Sequence, residues 1–135
     1  MKETIVLIDD NMNDVELFIN AVNDANLINP IKYYTSPNDA LIDIKNDSLN
    51  KPFIIFIDIH MPELNGLDLL EQFRSDSTLK DTHIVMVSGS DKDADITAAM
   101  ERGANAFINK PVTEDDIYKL INQLGIKIFL TSEKS

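Results

Sequence analysis

No cysteine occurs among the 135 residues, which excludes disulfides and thiolate metal sites and suits a reducing compartment. No window approaches the ~20 consecutive apolar residues of a membrane helix, and the N-terminus lacks the basic-then-apolar pattern of a secretory signal. A soluble, cytoplasmic protein is expected. Basic residues are scarce: 12 Lys and Arg stand against 23 Asp and Glu, for a formal net charge of −11. Affinity for a phosphate backbone comes mainly from cationic side chains, so nucleic acid is not an expected partner, and neither is a membrane. Most of the acids read as a solvated surface that aids solubility. Internal repeats and low-complexity segments are missing too. With 44% hydrophobic residues, the length suits one ordinary domain over 1–135, its core over 4–124 and a tail or helix extension over 125–135.

What is present is a series of short apolar runs that end in polar residues. Phe53-Ile54-Ile55-Phe56-Ile57 is rich in β-branched and aromatic types, too short for a helix, and reads as a strand buried on both faces. It leads into Asp58, and Pro62-Glu63-Leu64-Asn65-Gly66 turns the chain. Thr4-Ile5-Val6-Leu7-Ile8 has the same layout and runs into Asp9-Asp10. Asn13, with Glu16 three residues on and Met12 facing Leu17, is read as the capped start of a first helix that carries Val15, Phe18, Ile19 and Val22 inward and ends near Asn26. Ile31 to Thr35 alternates and is more polar, as an edge strand does. Ser36-Pro37 then caps a second helix with Ala40, Leu41 and Ile44 on its apolar face.

Leu67, Leu70 and Phe73 mark a third helix, and Ser75 to Thr82 is a polar connection. His83 to Val87 is a fourth strand, closing on Ser88-Gly89-Ser90, with His83 structural. Asp91 to Arg102 is helical by composition, but its stripe of Ile96, Ala99 and Met100 is thin, and Gly103 stops it. Ala106 to Asn109 is a fifth strand, followed by Lys110-Pro111. Thr113 caps a last helix with Asp116 three residues on and Ile117, Leu120, Ile121 and Leu124 at helical spacing. Five strands alternating with five helices imply an α/β fold: a doubly wound parallel sheet, helices on both faces in three layers, joined by right-handed crossovers. The flavodoxin-like order 2-1-3-4-5 suits this size, and it places the two least apolar strands at the edges.

In such a sheet the carboxyl ends of strands one, three, four and five bring Asp9, Asp10, Asp58, Ser88 and Lys110 to one rim, where ligands bind. Carboxylates a few ångströms apart repel by about 4 kcal/mol per close pair at an effective dielectric of about 20, so something positive belongs there. Oxygen ligands without a His or Cys cluster favour Mg²⁺. The lysine and the serine hydroxyl then read as donors to a second oxyanion. Metal, lysine, hydroxyl and carboxylate are the parts of a phosphoryl-transfer site, with Asp58 the nucleophile.

Ile-Asp-Asp-Asn at Ile8 to Asn11, Ile-Asp-Ile-His-Met-Pro-Glu-Leu-Asn-Gly from Ile57 to Gly66, Val-Ser-Gly at Val87 to Gly89 and Gly-Ala-Asn-Ala-Phe-Ile-Asn-Lys-Pro from Gly103 to Pro111 resemble, in order and spacing, the signatures of CheY-like response-regulator receiver domains. The match runs from about Thr4 to Leu124. The resemblance implies that Asp58 accepts a phosphoryl group from a sensor histidine kinase or histidine phosphotransfer protein. Asp10 and Asp58 would hold Mg²⁺ with the main-chain carbonyl of His60, and Asp9 would act largely through water. Ser88 and Lys110 would bond phosphoryl oxygens, and Pro111 would follow a cis peptide. Phe107 would be the switch aromatic that turns inward as Ser88 moves. His60 and Ser90 fall where receivers tune the lifetime of the acyl phosphate.

Three other readings compete. A Mg²⁺-dependent aspartyl-phosphate phosphohydrolase commonly has a second acid two residues after its nucleophile, where this chain has His60. A phosphate-independent interaction module on the same fold would be expected to lose site residues. A flavodoxin-type electron carrier needs hydroxyls and glycines after the first strand, where Asp9-Asp10-Asn11 stand. With only Ile126 to Leu130 and a polar tail beyond the receiver, the output is expected to be a contact with a downstream protein. The apolar Ile126 to Leu130 segment is read as an extension of the last helix in preference to a dimerisation patch, and the expected state is a monomer or weak homodimer.

Overall fold

The computed structural model describes residues 4–47, 51–89 and 93–125. Its elements are β1 (Ile5–Ile8), α1 (Met12–Asp24), β2 (Ile31–Tyr34), α2 (Pro37–Asn46), β3 (Ile54–Asp58), α3 (Gly66–Arg74), β4 (His83–Ser88), α4 (Asp93–Glu101), β5 (Ala106–Asn109) and α5 (Glu114–Leu124). All strand pairings are parallel, in the order β2-β1-β3-β4-β5. The architecture is the doubly wound one expected from the strand–helix alternation. Ser90 and the Ile126 to Leu130 segment, both singled out in the sequence, lie outside the described residues. Among the described residues no helix is long and apolar enough to cross a membrane.

Successive residues of a strand face opposite sides of a sheet, and here the two sides are two cores. Ile5 and Leu7 of β1, Ile54 and Phe56 of β3, and Val85 and Val87 of β4 pack against Phe18 of α1 and Ile117 and Leu120 of α5. Val6, Ile8, Ile55, Ile57, Ile84 and Met86 pack against Ala40 and Ile44 of α2 and Leu69, Leu70 and Phe73 of α3. Each fully buried aliphatic side chain contributes about 1.5–3 kcal/mol. The rings of Phe18 and Phe56 meet edge-on, with centroids 4.7 Å apart. This double burial is why β1, β3 and β4 read as unbroken apolar runs, and why β2, at an edge, does not.

Several local expectations need correction. The cap of α1 is Asn11, whose side chain accepts the Asp14 N–H, so the helix begins two residues before the site expected from Asn13. Met12 and Leu17 are both exposed and do not staple the helix start. In α3, Leu69 is fully buried while Leu67 is only partly so, and the connection after it carries a short 3-10 turn over Ser77–Leu79 whose Leu79 is fully buried. In α4, Ala99 is the buried residue; Ile96 is half-buried and Met100 is 46% exposed, so the apolar stripe is thinner than the sequence indicated. Ser36 caps α2, and Thr113 with Asp116 forms the capping box of α5, as their spacing predicts.

Arg74, at the end of α3, ties together the amino-terminal side of the sheet. Its guanidinium donates to the carbonyls of Gly103 (2.9 Å), Leu79 and Thr82 (3.0 Å each) and to Asn105 Oδ1 (2.8 Å). Asn105 Oδ1 also accepts the Ile84 N–H at 2.8 Å. Five donors in a planar fork allow one side chain to satisfy carbonyls from separate segments.

Candidate functional site

The strand register assembles the site. Ile8 pairs with Ile57, so Asp9 follows β1 level with Asp58, the last residue of β3. Asp58 pairs with Val87, which puts Ser88 one step further along β4, and Ser88 pairs with Asn109, which puts Lys110 one step beyond β5. A hydrogen bond from the Lys110 N–H to the Ser88 carbonyl, 2.8 Å, fixes the last step. The Lys110–Pro111 peptide is cis.

The carboxylates of Asp9, Asp10 and Asp58 converge, with one oxygen of each within 4.8 Å of the others. Asp9 and Asp58 are 2% and 4% exposed, whereas Asp10 is open to solvent. Lys110 Nζ lies 2.9 Å from Asp9 Oδ2 and 3.4 Å from Asp58 Oδ1. The Asn11 N–H donates to Asp9 Oδ1 at 3.0 Å, and the His60 N–H points at Asp58 Oδ1 over 3.4 Å. The five residues that the sequence placed at one rim are thus carried there by adjacent strand ends. Ser88 is fully buried, and Phe107 is half-buried against the core beneath α2, α3 and α4. The His60 side chain is exposed, with its Nε2 3.5 Å from Asp95 Oδ2 in the first turn of α4.

One member was not anticipated. Asp14, at the third position of α1, brings Oδ2 to 2.8 Å from Lys110 Nζ. The signal was its spacing: four residues beyond Asp10 and just inside a helix start is one turn from the acidic pair.

Burial, then the neighbouring charge on Asp9, pushes the Asp58 pKa from 3.8 up to about 6 against the opposing pull of Lys110 and the His60 N–H. Burial likewise raises Asp9, with the Asn11 N–H and Lys110 opposing. For Lys110, burial alone would favour the neutral amine, but hydrogen bonds to Asp14 and Asp9 and the charge of Asp58 hold its pKa above the ordinary value. One ammonium thus faces an excess of negative charge. An all-oxygen donor set, short of positive charge and open on the Asp10 side, fits a hard divalent cation such as Mg²⁺.

A parallel five-stranded sheet of order 2-1-3-4-5, with an acid trio and a lysine at its strand ends, defines the class: the chain belongs to the response regulator receiver domain family, whose model matches residues 5–122. Among curated proteins it is 40% identical over 60 residues to the chemotaxis protein CheY1 of Helicobacter pylori, covering 44% of this chain and 48% of that protein. It is 34% identical over 98 residues to the two-component response regulator ORR7 of Oryza sativa, covering 73% of this chain and 47% of that protein. The chain spans about half the length of these curated relatives. Among solved structures, the bacteriophytochrome response regulator RtBRR superposes with a TM-score of 0.85 at 28% identity, over 99% of this chain and 84% of that one. AtBRR gives 0.85 at 27%, over 98% and 99%. The protein is therefore a receiver domain of the two-component type. Members of this family are phosphoacceptors with an acidic, Mg²⁺-binding pocket, and they interact with kinases or phosphotransfer proteins and with downstream targets.

Proposed function

We propose that Asp58 accepts a phosphoryl group from a phosphohistidine on a sensor kinase or phosphotransfer protein, in a Mg²⁺-dependent reaction within the cytoplasm. The observation that carries this reading is the Asp58 carboxylate itself, buried at the end of β3 beside Asp9 and 3.4 Å from the Lys110 ammonium. One Asp58 oxygen attacks phosphorus, the P–N bond to the donor imidazole breaks, and the imidazole takes up a proton as it leaves. The product is an acyl phosphate. The carboxylates of Asp10 and Asp58 and the main-chain carbonyl of His60 would hold Mg²⁺, with Asp9 acting through water, and the ion would supply positive charge to the phosphoryl oxygens. Lys110 pairs with one of those oxygens and the Ser88 hydroxyl donates to another.

The phosphoryl group adds roughly −1.5 to −2 charges and three acceptor oxygens at one point. Ser88 is fully covered, so its hydroxyl reaches the new oxygen by a shift of the β4 end. That shift opens room for Phe107 to turn further in, and it biases the surface formed by α4, β5 and α5 toward a downstream protein. His60 and Ser90, beside the site in sequence, tune how long the acyl phosphate lasts.

The test is incubation with Mg²⁺ and acetyl phosphate, followed by intact mass. The wild type should gain one phosphoryl group, and Asp58→Asn or a chelated sample should gain none. Equal labelling of Asp58→Asn would refute the assignment, and rapid turnover of small phosphomonoesters would point to a phosphohydrolase instead.

A further inference from the structure

Lys110 is also held by an acid that phosphoryl transfer leaves without a part. An ammonium has three N–H donors, and here the two shortest contacts run to Asp14 Oδ2 (2.8 Å) and Asp9 Oδ2 (2.9 Å), with Asp58 Oδ1 further away at 3.4 Å. Asp14 stands apart from the three acids whose oxygens converge. It sits on α1, with its own N–H bonded to Asn11 Oδ1 at 3.1 Å. The Lys110 side chain is 16% exposed and that of Asp14 30%, so the pair is shielded well beyond an ordinary surface ion pair.

We propose that Asp14 is a positioning residue that parks Lys110 toward α1 in the unphosphorylated protein and so sets how readily the phosphoryl-bearing state forms. The inference rests on the reading of Asp58 as phosphoacceptor. A phosphoryl group on Asp58 draws the Lys110 ammonium toward Asp58 and away from Asp14, and the contact with Asp14 that is thereby stretched counts against the phosphorylated state. Neutralising Asp14 leaves the ammonium to Asp9 and Asp58, already on the side where the phosphoryl oxygens arrive. The same change removes a negative charge near the acid trio, so it cannot strengthen the hold on a divalent cation. Anion affinity rises while cation affinity does not, a split that loss of structural support would not produce.

The experiment uses the full chain and isothermal titration, first with Mg²⁺ alone and then with beryllium fluoride, a phosphoryl mimic, at saturating Mg²⁺. The variants are Asp14→Asn, Asp14→Ser as a second neutral form, Asp14→Glu, and Glu16→Gln as an exposed acid of the same helix; circular dichroism confirms folding. Either neutral variant should bind beryllium fluoride roughly three- to tenfold more tightly, the size of a half-buried ion pair, and Mg²⁺ no more tightly than wild type. Asp14→Glu and Glu16→Gln should stay within about twofold of wild type for both ligands. A folded neutral variant that binds beryllium fluoride no better than wild type overturns the parking role, as does equal tightening in Glu16→Gln. If the wild type itself binds none in the presence of Mg²⁺, the phosphoacceptor reading fails; if it binds and the neutral variants do not tighten, only the role of Asp14 falls.

Discussion

Asp58→Asn should make the metal-free protein more stable, by an amount set by the surroundings of the carboxylate. Burial and the charge of Asp9 raise the folded-state pKa of Asp58 to about 6, from 3.8 for a free side chain. A group whose folded pKa lies above its unfolded value favours folding while protonated. That contribution is fully present below the unfolded pKa and is lost as pH rises through the folded one. The difference of roughly two pKa units corresponds to ~3 kcal/mol. Asparagine is neutral at every pH, but its amide places a donor near Lys110 where an acceptor stood, so we expect a net gain of about 1–2 kcal/mol. Urea unfolding with a chelator should show this gap at about pH 7.5 and should show it closing toward about pH 4, where the wild-type carboxyl is itself protonated. Added Mg²⁺ should narrow the gap from the wild-type side, by ~1.4 kcal/mol at ten times its dissociation constant. An Asn variant no more stable than wild type at the higher pH, with the metal removed, would refute the argument.

Two further perturbations separate the site from its scaffold. Gly66 begins α3 against the end of β3, where an added Cβ would overlap the Asp58 carbonyl oxygen and press on Ile59 Cα. Both are backbone, so Gly66→Ala should lower stability by about 2–4 kcal/mol in urea unfolding and slow phosphoryl uptake by displacing Asp58. Arg74→Ala removes four hydrogen bonds to Gly103, Leu79, Thr82 and Asn105. It should cost about 2–4 kcal/mol in the same assay, yet leave phosphoryl uptake by the folded protein unchanged, because every bond lost lies at the other end of the sheet.

The strands were legible because burial on both faces demands continuous apolar runs, and the site followed because each run hands directly to a polar residue at the same rim. Helix starts were less so. Asn11 and Asn13 are equally good caps on paper, and the choice falls to Asn11 because α1 begins immediately after the Asp9–Asp10 turn, where the Asn11 N–H is already bonded to Asp9. Asp14 went unnoticed since its partner is 96 residues away. Arg74 left even less trace: three of its four acceptors are main-chain carbonyls, which no side-chain pattern announces.

The Arg74 bonds also bear on α4. This helix is roughly 13 Å long, with its first turn beside His60 and its far end leading to Gly103, whose carbonyl Arg74 holds. Arg102 adds a grip from the same end, 3.2 Å from Asp68 on α3. Between the two ends Ala99 is the buried residue. The described contacts therefore fasten α4 most firmly where it meets Gly103, and at its opening turn they reduce to one carboxylate, Asp95, lying 3.5 Å from the exposed imidazole of His60.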